Sequence, residues 1–117
     1  MHILIVDDTP ANRLLPSALL KKEGFKVSEA PNGETALEYL SREIPDCVLL
    51  DISMPGLSGE EVCERIRRDE RFDGMRIIAY TAHALPEERK RIMAAGFNDL
   101  LTKPITKASL RTALQLD

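Results

Sequence analysis

Residues 3–8 read Ile3-Leu4-Ile5-Val6-Asp7-Asp8, four consecutive aliphatic residues that stop on two carboxylates. An unbroken apolar run of this length fits a strand covered on both faces, as in a parallel sheet. Three further runs share that character: Cys47-Val48-Leu49-Leu50, Ile77-Ile78-Ala79-Tyr80 and Leu100-Leu101. A fifth stretch, Lys26-Val27-Ser28-Glu29-Ala30, alternates polar with apolar and predicts a half-exposed edge strand.

Helical patterns fill the intervals. Pro10 to Glu23 carries Leu14, Leu15, Ala18 and Leu19 on one stripe and stops at Gly24. Glu34 to Arg42 follows an Asn32-Gly33 turn and points Ala36, Leu37 and Leu40 inward. Glu60 to Asp69 buries Val62, Cys63 and Ile66. Pro86 to Ala95 opens with Pro86, Glu87 and Glu88 and turns basic before Gly96, in keeping with the helix dipole. Thr106 is a plausible N-cap for a last helix reaching Leu116. Pro16 conflicts with the first helix, because an interior proline costs roughly 3 kcal/mol, so a kink or a start near Asn12 is expected. Five strand–helix units with short connections predict an α/β domain over 1–117, a doubly wound parallel sheet with helices on both faces.

Composition agrees with one domain. The chain has 117 residues, 44% of them apolar and 30% charged. Sixteen Lys and Arg against nineteen Asp and Glu leave a net charge of −3, and only five residues are aromatic, which disfavours direct nucleic-acid binding. No apolar run approaches the roughly 18 residues needed to span a membrane. Asp7 and Asp8 come too early for the apolar core of a signal peptide. Cys47 and Cys63 form no metal-ligand spacing and are expected to be reduced, buried thiols. A cytoplasmic location without membrane contact is the expectation.

Ligands in open α/β sheets bind beyond the carboxyl ends of the strands, where strand order reverses. Asp7 and Asp8 follow the first strand, Asp51 ends the third, Thr81 ends the fourth and Lys103 follows the fifth. With the first and third strands adjacent, about 4.8 Å apart, three carboxylates would share one pocket. Such carboxylates repel unless one keeps its proton or a cation binds. Oxygen-only donors favour Mg²⁺ or Mn²⁺. A lysine beside the pocket suits an anionic phosphate, and a threonine hydroxyl can donate to the same anion. Carboxylate nucleophile, divalent cation and lysine together describe phosphoryl transfer to aspartate. Singly, each residue has a plainer reading: Asp8 as a helix cap, Lys103 as a solvated surface lysine, Thr81 as a strand-end hydroxyl.

Val6-Asp7-Asp8, the segment Leu50-Asp51-Ile52-Ser53-Met54-Pro55-Gly56 through Gly59, Tyr80-Thr81-Ala82 and Leu101-Thr102-Lys103-Pro104 together resemble the receiver domains of two-component response regulators. The resemblance covers essentially the whole chain. It implies a (βα)5 flavodoxin-like fold with strand order 2-1-3-4-5. It implies that Asp51 is the phosphoacceptor, with Lys103 and Thr81 contacting the phosphoryl group. Mg²⁺, or Mn²⁺, would be held by Asp8, Asp51 and the Ser53 backbone carbonyl, with Asp7 acting through water. The Lys103–Pro104 bond would be cis, and Ala82 would leave room for the phosphoryl group. Ser53 and His83 are the family's lifetime-tuning positions. The segment Thr81-Ala82-His83-Ala84, with Asn12-Arg13, is similar to receivers of hybrid sensor histidine kinases. Two departures stand out. Leu100 occupies a position usually aromatic, so the switch is expected to rest on movement of the loop 81–85, and Ser58 replaces an acidic residue before Gly59.

Implied partners are a histidine kinase or histidine phosphotransfer protein, docking on the first helix near Ala11, Leu14 and Leu15. A downstream protein would read the face of the fourth helix, fifth strand and fifth helix, around Arg89, Lys90, Leu100 and Lys107. An FMN carrier would need a hydroxyl- and glycine-rich phosphate loop where Asp7 and Asp8 stand. An aspartate-nucleophile hydrolase would place a second carboxylate where Ser53 stands. A pseudo-receiver that binds without chemistry would not need the intact acidic set.

Overall fold

A computed structural model describes residues 1–82 and 85–116. Strands β1 (His2–Val6), β2 (Lys26–Ala30), β3 (Cys47–Asp51), β4 (Arg76–Thr81) and β5 (Asp99–Thr102) alternate with helices α1 (Pro10–Lys22), α2 (Gly33–Leu40), α3 (Gly59–Arg67), α4 (Pro86–Ala94) and α5 (Lys107–Ala113). All strand pairs are parallel, in the order β2-β1-β3-β4-β5. The doubly wound five-stranded sheet and its order are as the sequence implies. Every strand ends at one rim, the upper rim below, and each helix returns the chain to the lower rim. There Arg76 Nε, at the start of β4, donates to the carbonyl of Ala113 at the end of α5 (2.8 Å).

Strand alternation sorts the apolar residues into two cores. Leu4, Val6, Val48, Leu50, Ile77, Ala79 and Leu100 meet α2, α3 and α4 through residues such as Leu40, Val62, Ile66 and Ile92. Ile3, Ile5, Leu49, Ile78, Tyr80 and Leu101 meet α1 and α5 through Leu20, Leu110 and Leu114. Both cysteines are buried and unpaired, and desolvation raises the thiol of Cys47 to about 12 and that of Cys63 to about 11. They are structural thiols.

Helix α1 departs from the expected stripe. Leu14 is 70% and Leu15 44% exposed, whereas Pro16, Ser17 and Leu20 are buried. The inward face is set by Pro16 and Leu20, one turn apart, with the small Ser17 letting the helix approach the sheet. The helix does not wait for Asn12. It begins at Pro10, where the missing N–H would have no helical partner, and runs through Pro16 to Lys22.

Loops at the upper rim are fixed by short-range chemistry. Asn32 caps α2 by accepting from the Thr35 N–H (2.7 Å). Ser58 caps α3 in a box with Glu61, so the residue that departs from the family pattern takes on a capping role.

Arg67 at the end of α3 was not singled out by any motif. It donates to the carbonyls of Gly96 (3.0 Å), Met75 (2.8 Å) and Phe72 (3.4 Å) and to Asn98 Oδ1 (2.6 Å). Asn98 Oδ1 also accepts from the Ile77 N–H (2.7 Å). One guanidinium thus ties the 3-10 turn Glu70–Phe72 to the entries of β4 and β5. Arg67→Met keeps the stem and removes the donors, so urea unfolding should show a loss of about 2 kcal/mol. An unchanged midpoint would mean that these carbonyls lose nothing with the guanidinium.

Candidate functional site

Because β1 and β3 are neighbours with Val6 opposite Leu50, the next residue of each chain segment, Asp7 and Asp51, meets its counterpart at the upper rim. Asp7 is fully buried. Its Oδ1 accepts from the Thr9 N–H (2.9 Å) and its Oδ2 from Lys103 Nζ (3.0 Å). Asp51 is 4% exposed, with Oδ1 accepting from the Ser53 N–H (3.3 Å) and lying 3.5 Å from Lys103 Nζ. Asp8 is exposed, and Thr9 rather than Asp8 is the N-cap of α1, so the cap reading of Asp8 falls. Lys103 is no solvated surface lysine: its side chain is 18% exposed and pinned by Asp7.

Asp7, Asp8 and Asp51 each offer a carboxylate oxygen within 4.8 Å of the others. Two of the three are buried, all donors are hard oxygens, and Lys103 brings its ammonium against Asp7 and Asp51. The donor chemistry fits a small divalent cation such as Mg²⁺.

Two other strands complete the rim. Thr81, buried at the end of β4, pairs in register with Thr102, and its carbonyl accepts from the Lys103 N–H (2.8 Å). That bond fastens the β4 and β5 ends together, and the Lys103–Pro104 peptide is cis. Ala82 and Ser53 are exposed at the rim. His83 and Ala84 lie outside the described residues. Leu100 is 8% exposed and faces the α2–α3–α4 core, whereas Arg89, Lys90 and Lys107 of the expected output surface are exposed.

Two features were not read from the sequence as parts of a site. Arg13 Nη1 donates to the Asp7 carbonyl (2.6 Å) while its Nε pairs with Glu29 on β2 (2.9 Å). Arg13 appeared in the sequence only as a subfamily marker. Tyr80, opposite Asp51 in the β3–β4 ladder, places its ring 4.7 Å from Lys103 Nζ. In the sequence it appears in the motif Tyr80-Thr81-Ala82 and as the aromatic end of an aliphatic run, with no role of its own. Burial first, then the charges of Asp7 and Asp51, hold its phenol above the ordinary value, so the ring stays neutral.

Burial, followed by repulsion from Asp7, raises the Asp51 carboxyl to about 6, against the opposing pull of Lys103. The folded state therefore holds this proton more tightly than the unfolded chain. Below the unfolded carboxyl's range neither state ionises, and the group costs nothing. As pH rises towards about 6 the unfolded chain ionises first, and above that value the full penalty is present. In metal-free protein, Asp51→Asn is thus expected to stabilise by about 2 kcal/mol at pH 8 and by little at pH 4. Thermal melts in chelator at the two pH values check this; equal melting shifts at both would refute it.

The family model for the response regulator receiver domain matches residues 3–115. An uncharacterised 14.6 kDa protein of Leptolyngbya boryana is 40% identical over 98% of this chain and 88% of its own length. The sensor histidine kinase GacS of Pseudomonas protegens is 40% identical over 93% of this chain, which spans 12% of that kinase. Among solved structures, the receiver domain of sensor histidine kinase PA1611 from Pseudomonas aeruginosa, with magnesium coordinated in its active-site cleft, superposes with a TM-score of 0.89 at 36% identity. It covers 97% of this chain and 93% of its own. Carboxylates where an FMN phosphate would sit and the match along the whole sheet leave no support for the flavin carrier. With its strand order, its acidic rim and the extent of these matches, the chain belongs to the response regulator receiver domain family.

Proposed function

We propose that Asp51 accepts a phosphoryl group from a phosphohistidine of a sensor kinase or histidine phosphotransfer protein, in the cytoplasm. The observation that carries this is a nearly buried carboxylate set between two further carboxylates and a pinned lysine. Repulsion from Asp7 and Asp8 favours a divalent cation at the rim, and burial narrows approach to Asp51 to the open side. An Asp51 oxygen forms the new O–P bond as the donor's N–P bond breaks, and the imidazole leaves with the electron pair.

Each neighbour then has a defined task. Asp8, Asp51 and the Ser53 carbonyl would hold Mg²⁺, with Asp7 acting through water. When bound, the cation supplies positive charge to the phosphoryl oxygens. Lys103 turns from Asp7 towards the incoming dianion as a point charge. Thr81 donates its hydroxyl to the same group, and Ala82 leaves the space it needs. Drawing Thr81 inward shifts the segment that leads into α4, so the α4–β5–α5 face carries the signal to a downstream protein. Ser53 and His83 set how readily water reaches the acyl phosphate. Its hydrolysis returns the Asp51 carboxylate and inorganic phosphate.

Incubation with acetyl phosphate and Mg²⁺, followed by intact mass measurement, should show a single base-labile phosphoryl adduct that chelator prevents. Unmodified protein under these conditions would overturn the proposal.

A further inference from the structure

The chain holds five aromatic residues, Phe25, Tyr39, Phe72, Tyr80 and Phe97. Phe25, Phe72 and Phe97 lie just before β2, β4 and β5, at the lower rim. Tyr39 joins them there, bonded to His2 at the start of β1. Only Tyr80 stands at the upper rim. Thr81 pairs with Thr102, and two residues before Thr102 the aliphatic Leu100 faces the α2–α3–α4 core, while Tyr80 projects to the opposite, α1–α5 face.

There its ring lies 4.7 Å from the Lys103 ammonium, the same ammonium that reaches Asp7 at 3.0 Å and Asp51 at 3.5 Å. The ring is 3% exposed, so the contact is largely shielded from water. Shielding strengthens the attraction between a cation and a ring face. A lysine stem is long and flexible, and with carboxylates alone it could collapse onto them. A carboxylate orients an ammonium by neutralising it. A ring orients it and leaves its full charge available to an arriving anion.

We propose that Tyr80 is a positioning residue for Lys103, holding the ammonium at the upper rim in the attitude from which it meets the phosphoryl group. The inference rests on the phosphoacceptor reading of Asp51. The ring does not touch the phosphoryl group and acts only through Lys103. It also forms one wall of a groove of about 370 Å³ lined by Ala11, Asn12, Leu15, Lys103 and Pro104, so a shorter side chain can be accommodated there without a sealed void.

The test compares Tyr80→Leu, which removes the ring, with Tyr80→Phe, which keeps it. Two quantities are read: the rate of adduct formation from acetyl phosphate and Mg²⁺, and the NMR shifts of the Lys103 ε-methylene protons. Loss of the ring contact should slow adduct formation about fivefold and abolish the ring-current shift of those protons. The Phe variant should restore both. A role confined to core packing would lower stability in Tyr80→Leu while leaving the rate of adduct formation, measured well below the melting temperature, at the wild-type value. Wild-type Lys103 protons without a ring-current shift, a Leu variant with the wild-type rate, or a Phe variant as slow as Leu overturns the proposal. Wild-type protein that takes up no phosphoryl group instead overturns the phosphoacceptor reading itself, and the two failures are therefore distinguishable.

Discussion

Asp51→Asn is expected to leave the protein with no phosphoryl adduct at any time of incubation, while its circular dichroism stays that of the wild type. An amide oxygen carries no full charge and is a poor nucleophile, and the change also removes one of the three carboxylates at the rim. Neither neighbour can substitute. Asp7 is fully buried with both oxygens engaged, one by the Thr9 N–H and the other by Lys103. Asp8 is exposed and is not the carboxylate that Lys103 holds. An adduct that persists in the variant, mapped to another residue, would sink the assignment of Asp51. A Mg²⁺-dependent rise in melting temperature is expected of the wild type and should be lost in the same variant, because a ligand that binds only the folded state stabilises it.

Gly59→Ala should be the most damaging small substitution in the chain. A Cβ at this position would stand 2.2 Å from the Asp51 carbonyl oxygen and 2.9 Å from the Ile52 Cα, both backbone atoms that cannot rotate aside. The Gly59 N–H donates to the Ile52 carbonyl (3.1 Å), which holds the first turn of α3 against the end of β3. Relief requires α3 to lift from the sheet or the Asp51 backbone to shift. Overpacking of this kind costs about 3 kcal/mol, a melting shift on the order of 10 °C for a domain this size. Adduct formation should slow as well, since the backbone that must give way is that of Asp51. Gly74 is the control: no atom lies within 4 Å of a Cβ built there, so Gly74→Ala should change neither quantity appreciably. Equal behaviour of the two variants would show that the α3–β3 approach is not tight.

The alternation of apolar runs with amphipathic stretches made the sheet and its five helices legible, since strand burial on both faces writes itself as unbroken apolar runs. Carboxylates at the ends of β1 and β3, with Thr81 at the end of β4 and Lys103 just beyond β5, were legible for the same reason: strand ends mark the ligand rim. The inward face of α1 was not. Leu14 and Leu15 look like core residues by type, yet tertiary packing chose Pro16, Ser17 and Leu20, and a helix periodicity cannot say which apolar stripe meets the sheet. Arg67 and Tyr80 were hidden for another reason. Their partners are main-chain carbonyls in one case and a lysine 23 residues away in the other, and neither leaves a local pattern.

The return of every helix to the lower rim has a consequence for architecture. β1 enters the sheet from that side, and the Arg76–Ala113 bond fixes the end of α5 there too. Chain joined ahead of β1 or beyond α5 would therefore attach at the pole opposite the carboxylates and leave the reactive pole open to a visiting protein. That placement suits the domain as a free-standing body and as one bead in a series alike. Its polarity, more than its size, makes it portable.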